Sequence, residues 1–352
     1  MNHINVVKVI NIEKKFKKKR KRRRKISKYH KLHSKYQKYI HLFNKIILIL
    51  FFTFFFLHAK SQNEYKNKIK YKSNTTVCIC AIGKKENLYI KEFVQYYKKL
   101  GYNHIFLYDN NDINDERFEE VIQNEINEDF VSIINYRGYR GMINKPQLDA
   151  YIDCYEKNNK NYSWLSFYDI DEFLELKPNN ITIQEFLDNE RYKKCQNIKI
   201  NWVEYTDNDL IHYENKSVIE RFTSKSLNNY EKIHIKSTPR GNLSHNYWNN
   251  SWNPHSSVDK EFIACSSSGN ITSSTNYYVY PPDYTYAFLR HYPTKSIEEY
   301  FEKLKKGRAD LYFKVNSQNI KKKFDYYFSV NNKTKLKVDL FNKEYNVNFS
   351  IN

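Results

Sequence analysis

From Val77 onward the chain alternates apolar blocks with amphipathic stretches. Val77-Cys-Ile-Cys-Ala-Ile82 is an unbroken apolar run of strand length. Tyr89, Phe93, Tyr97 and Leu100 then recur at helical spacing, and Gly101 marks a stop. His104–Tyr108 predicts a second strand halted by Asp109-Asn110-Asn111, and residues 116–125 a helix. Phe130–Ile134 predicts a third strand, Lys145–Asn158 a helix, and Tyr162–Tyr168 a fourth strand. The order βαβαβαβ predicts an α/β fold, a mostly parallel sheet flanked by helices, and such sheets place ligands at the carboxyl ends of their strands. Beyond Glu175 the pattern predicts strands near 196–202, 218–221, 232–237 and 284–288, and a helix over 295–306. Residues 75–314 read as one domain and 315–352 as a polar C-terminal tail with scattered aromatics, room for a last helix and no assigned function.

Ahead of this domain the pattern is different in kind. Ile46–Leu57 is apolar apart from Thr53, and the segment 46–59, or 40–59 if His41, Lys45 and His58 snorkel, reaches about 20 residues. It is expected to be a transmembrane signal-anchor. Residues 1–45 carry 17 Lys and Arg against the single Glu13, which accounts for +16 of the net charge of +20. The folded part is therefore nearly neutral. A basic cytoplasmic tail (1–45), an anchor (46–59) and a polar stem (60–74) imply single-pass type II topology with the domain translocated. Membrane orientation and anionic lipid then explain the basic run, and nucleic acid is not an expected partner. Five cysteines are too few and too irregular for a zinc site or a disulfide-rich scaffold. The Cys78-Ile-Cys80 thiols are expected to act as small hydrophobes, one bridge among the others being open.

The candidate chemistry sits where an apolar run ends in carboxylates, Trp164-Leu-Ser-Phe-Tyr-Asp169-Ile-Asp171-Glu172. In an extended strand Asp169 and Asp171 project from one face while Ile170 turns into the core. Two adjacent carboxylates repel unless a cation lies between them, and hard divalent ions take oxygen ligands. Mg²⁺ or Mn²⁺ is the expected cofactor. A triplet this short arises by chance, and Asp207-Asn-Asp209 is a second copy in polar surroundings that reads as a loop.

The chain resembles the family 92 glycosyltransferases and their family 2-like relatives. The resemblance is carried by Glu86-Asn87, Glu92-Phe93-Val94, Tyr97, Leu100-Gly101, Tyr108-Asp109-Asn110, Gln147, Ala150-Tyr151, Asp153-Cys154, Trp164 and Asp169-Ile-Asp171-Glu172-Phe173. Later motifs match as well: Asn201-Trp202, His234-Ile-Lys236-Ser237, Asn253-Pro254-His255, His291-Tyr292, Lys295-Ser296, Glu299, Lys303 and Gly307-Arg308-Ala309. Tyr205-Thr206-Asp207 stands where many relatives carry Phe-Gly.

That resemblance implies a GT-A fold and transfer of a sugar, generally with inversion, from a nucleotide diphosphate to an acceptor hydroxyl. A UDP-sugar is the leading donor, a glycan, glycoprotein or glycolipid the acceptor, and the ER or Golgi lumen the compartment. Asp109 would meet the base or ribose, or cap its own turn. Asp169 and Asp171 would hold the ion at the diphosphate, with His291 as a third ligand and His255 as the alternative. Lys145, Gln147 and Arg140 would approach the diphosphate near a helix N-terminus. Lys303 reads as the wet face of its helix. Asp207 and Glu204 are the candidate general bases.

Overall fold

The computed structural model describes residues 37, 39, 41–53, 73–141, 145–227, 234–243, 255, 262–306, 317–348 and 350. Residues 1–72 and 73–352 separate as two compact units. In the first, residues 41–53 form a helix, α1, whose Leu42, Phe43 and Ile46–Phe52 side chains are exposed. The rest of the expected anchor, 54–59, lies outside the described residues, as do nearly all of the basic tail and most of the stem. Among the described residues no helix is long and apolar enough to cross a membrane.

The second unit opens with β1 (Val77–Gly83), α2 (Asn87–Leu100), β2 (His104–Asp109), α3 (Glu119–Asn127), β3 (Val131–Asn135), α4 (Pro146–Asn158) and β4 (Trp164–Phe167). The four strands pair in parallel in the order β3-β2-β1-β4. Alternation within β1 decides which helix lies on which face. Val77, Ile79 and Ala81 pack with α2 and α3, while Cys78, Cys80 and Ile82 pack with Ala150, Tyr151 and Cys154 of α4. The unbroken apolar run is thus a strand buried on both faces. Gly101 ends α2 in the left-handed region, φ 97°, and its N–H bonds the Lys98 carbonyl.

The chain next makes β5 (Glu172–Leu176), α5 (Ile183–Leu187), β6 (Asn197–Glu204), α6 (Val218–Arg221), β7 (Ile235–Pro239), β8 (Ala264–Cys265), β9 (Ile271–Thr272) and β10 (Ala287–His291). A mixed sheet runs β5-β10-β6-β8-β9, with β7 also paired to β6. Residues 218–221, expected as a strand, form a helical turn instead. Four residues carry no period long enough to separate the two.

The last elements are α7 (Ile297–Lys306), α8 (Ser317–Val330) and α9 (Lys335–Tyr345). Residues 315–352, expected as a polar tail with room for a last helix, carry two helices that pack on α7. Phe324, Tyr327, Val338 and Phe341 pack against Ile297, Tyr300 and Phe301 of α7 in a third apolar cluster. The cysteine expectation also needs revision. Cys80 bridges to Cys154 and Cys195 to Cys265, tying β1 to α4 and the lead-in of β6 to β8, while Cys78 stays a buried thiol. Alternation on β1 turns Cys80 toward α4, a partner 74 residues away that local spacing does not reveal.

Candidate functional site

Asp169 and Asp171 do not continue a strand. β4 ends at Phe167, and residues 169–172 turn, with the Glu172 N–H donating to the Asp169 carbonyl (3.0 Å), before β5 begins in the other sheet. Both carboxylates stand on the link between the sheets, at the carboxyl end of the parallel one. Ile170 does turn inward, 4% exposed, and comes so near Gly83 that a Cβ there would lie 2.5 Å from its Cδ1. Only glycine at the end of β1 leaves that space.

Each aspartate has its own lysine. Asp169 Oδ2 accepts from Lys236 Nζ of β7 (2.8 Å), and Oδ1 from Gln147 Nε2 (2.7 Å) and Tyr151 Oη (3.1 Å) of α4. Asp171 Oδ2 accepts from Lys303 Nζ of α7 (2.8 Å), which also donates to the Pro293 carbonyl (3.0 Å). Lys303, expected on the wet face of its helix, keeps its side chain 37% exposed and still reaches the aspartate turn. Burial opposes ionisation of both aspartates, yet Lys236 and Lys303 outweigh it and hold the carboxyls below their ordinary range. Glu172 is fully buried 3.5 Å from Lys236 Nζ, and there burial prevails and pushes its carboxyl well up. Its Oε2 accepts the Asp169 N–H (3.0 Å), which fixes the turn.

His291 ends β10, and strand pairing sets it opposite both Glu172 of β5 and Glu204 of β6. Its Nε2 lies 3.8 Å from Asp171 Oδ1 and its Nδ1 4.0 Å from Glu204 Oε1. Burial lowers the imidazole to about 4, so it is neutral at physiological pH. Its ring tilts over Trp202 at 4.1 Å between centroids. His255 meets Trp202 edge-on at 5.3 Å between centroids, its Nδ1 bonded to the Ile235 carbonyl (2.6 Å), and burial lowers it to about 3.

A cavity of about 500 Å³ opens beside the ends of β1 and β2, lined among others by Lys84, Asn110, Asp112, Asp115, Tyr139 and Arg140. Its wall reaches Pro146, the first residue of α4, adjacent to the Gln147 that holds Asp169. Asp109 does not line it. Its Oδ2 pairs with Arg137 Nη1 (2.6 Å) and its Oδ1 accepts from Asn111 N (2.9 Å) and Nδ2 (2.7 Å). Arg137 also donates to the carbonyls of Asp112, Asp115 and Glu116. The pair thus moulds the cavity loop from behind. Lys145 is exposed at the N-cap of α4.

The two base candidates have separate fates. Asp207 is 2% exposed, bonded by Lys337 Nζ (2.8 Å) and Tyr327 Oη, and its N–H donates to Asn331 Oδ1 (2.6 Å). A carboxylate sealed in an ion pair cannot receive a substrate proton, so Asp207 is corrected to a structural anchor. Glu204 instead faces the site, beside His291. Sequence reasoning left Arg137 and Lys236 without a role, although Lys236 lies in the quoted His-Ile-Lys-Ser motif.

Among the described residues no three His, Cys, Asp or Glu side chains form a metal cage. Asp171 and His291 nevertheless fit as a pair. Their 3.8 Å separation is too long for a hydrogen bond, and ligands on one ion, with bonds of about 2.1 Å, stand roughly 3–4 Å apart. The His291 Nδ1 is buried without a hydrogen bond.

Comparison with known proteins gives these residues a context. The family model for glycosyltransferase family 92 matches residues 73–338. A family 92 protein of Oryza sativa subsp. japonica is 30% identical over 114 residues, covering 32% of this chain and 18% of that one. One from Ricinus communis is 28% identical over 114 residues, covering 32% and 19%. The matched stretch is thus under a fifth of either relative's length. A crystal structure of S. aureus TarS aligns over 38% of this chain and 22% of that one at 11% identity, with a TM-score of 0.26 too low to argue from. The family match spans both sheets, the aspartate turn and α7 through the start of α9, and the chain belongs to glycosyltransferase family 92.

Proposed function

We propose that this chain transfers a sugar from a nucleoside diphosphate donor, a UDP-sugar foremost, to a hydroxyl of a glycan, glycoprotein or glycolipid, with inversion, on a GT-A scaffold. The observation that carries this reading is the Asp169–Asp171 turn at the carboxyl end of a parallel sheet, joined through Gln147 to a cavity large enough for a nucleoside. The nucleoside occupies the cavity and the diphosphate passes the N-terminus of α4 toward Asp171 and Lys303, where backbone N–H groups and the ammonium meet its charge. Lys145 and Arg140 flank that path.

In the reaction the acceptor oxygen bonds to the anomeric carbon as the bond from that carbon to the diphosphate oxygen breaks. The electron pair leaves on the diphosphate and Glu204 takes the acceptor proton. Asp171 and His291 would hold Mn²⁺ or Mg²⁺, with Asp169 alongside. A bound ion supplies positive charge against the departing diphosphate. Lys236 and Lys303 keep both aspartates ionised before donor arrives, so no proton need be lost on binding.

The exposed apolar α1 and the apolar run beyond it support a type II anchor, and two disulfides agree with a translocated domain in an oxidising lumen. Calorimetry of the full-length chain with Mn²⁺ and a panel of UDP- and GDP-sugars tests the reading. Binding with slow donor hydrolysis is expected. Silence across the panel contradicts it.

A further inference from the structure

We propose that the C-terminal hairpin of α8 and α9 completes the active site, with Tyr326 acting as the residue that positions Glu204. The Tyr326 hydroxyl donates to Glu204 Oε1 at 3.2 Å, and that same oxygen lies 4.0 Å from His291 Nδ1. The residue is 37% exposed, and its hydroxyl reaches across to the end of β6. Burial and the negative charges of Glu204 and Asp171 push the phenol well above its ordinary range, so it stays protonated and can only donate toward the carboxylate.

The rest of the hairpin is built to hold that donor in place. Tyr327, the next residue, bonds Asp207, three positions after Glu204 on the same chain segment. Lys337 of α9 pairs with Asp207 and Asp209, and Asn331 between the helices bonds the Asp207 N–H and Thr294 Oγ1. The apolar side of the hairpin packs on α7, the helix that brings Lys303 to Asp171. One packed unit therefore presents Lys303 to the aspartate turn and Tyr326 to the end of β6. Glu204 is a long side chain at a strand terminus, and a fixed donor removes rotamers that would swing its carboxylate away from the acceptor.

The proposal rests on Glu204 as base, and a double-mutant cycle keeps the two claims apart. Wild type, Tyr326→Phe, Glu204→Gln and the double variant are compared as full-length chains for hydrolysis of whichever UDP-hexose the wild type turns over, water serving as acceptor. Tyr326→Phe is expected to lower kcat about tenfold with donor KM and the UDP-induced rise in Tm unchanged, and to cost nothing further in the Glu204→Gln background. Equal losses in both backgrounds, or wild-type turnover by Tyr326→Phe while Glu204→Gln is dead, overturn the positioning role alone. Wild-type turnover by Glu204→Gln overturns the base and the proposal together. Without any donor, thermal unfolding of the four proteins tests the contact: Tm losses that fail to add support it, and additive losses refute it.

Discussion

Two Asp-x-Asp triplets occur in this chain, and each meets lysine. At Asp169-Ile-Asp171 two lysines from different elements take one carboxylate each, and the turn is open enough that the Asp169 side chain is 32% exposed. At Asp207-Asn-Asp209 a single Lys337 bridges both aspartates, and α8 and α9 cover Asp207 to 2% exposure. The difference lies in what surrounds them. The first has a neutral histidine and a tryptophan beside it and, through Gln147, a link to the cavity at the start of α4, while the second has an aromatic cluster and an asparagine that satisfies its backbone. The same three letters thus make a partly open turn beside His291 in one place and a staple for the C-terminus in the other.

Breaking the staple should give the largest stability effect. Lys337→Met leaves Asp207 buried without its cation and is expected to cost about 3 kcal/mol, read as a lowered midpoint in urea with unchanged UDP binding. Adding Asp207→Asn to the same chain should recover part of that loss, because no charge is then left unpaired. At the open triplet, Lys236→Met is expected to cost less, about 2 kcal/mol, since Asp169 reaches water and Glu172 sheds its charge by taking a proton. Its turnover should nevertheless collapse, whereas Lys337→Met, which loosens only the hairpin carrying Tyr326, should lose no more than the roughly tenfold expected of Tyr326→Phe. Equal turnover in the two variants would erase the contrast.

The open triplet should also leave an acid signature. Asp171 has its folded pKa depressed below the unfolded value, so its contribution to stability is present above the ordinary carboxylate range and lost as pH falls through and below it. In metal-free protein, Asp171→Asn should flatten the fall of Tm below about pH 4. Asp209→Asn is expected to do least. Its side chain is 66% exposed, and exposed pairs contribute about 0–1 kcal/mol.

Much of this was legible in the sequence where the signal is local. The apolar run of β1, the helical spacing of α2 and its Gly101 stop, and the alternation that implies a parallel sheet all act over a few residues, and each lies where the pattern set it. The aspartate turn was found, though as a strand end, because nothing in Ile170 distinguishes a buried turn from a pleat. What escaped depends on distance along the chain. Lys236 is 67 residues from Asp169 and Lys303 is 132 from Asp171. Tyr326 sits in the lysine-rich, aromatic-dotted end of the chain, whose helices gain their meaning only from the face of α7 they cover.

The first triplet, not the second, is the one proposed to meet the diphosphate. The most direct measurement is UDP release from a UDP-sugar panel with Mn²⁺ by wild type, Asp171→Asn and Asp209→Asn, each full length and confirmed folded at the assay temperature. Removing one transition-state contact of this kind is expected to lower turnover at least about 100-fold in Asp171→Asn and to leave Asp209→Asn at wild-type rate. Turnover undiminished in Asp171→Asn would contradict it.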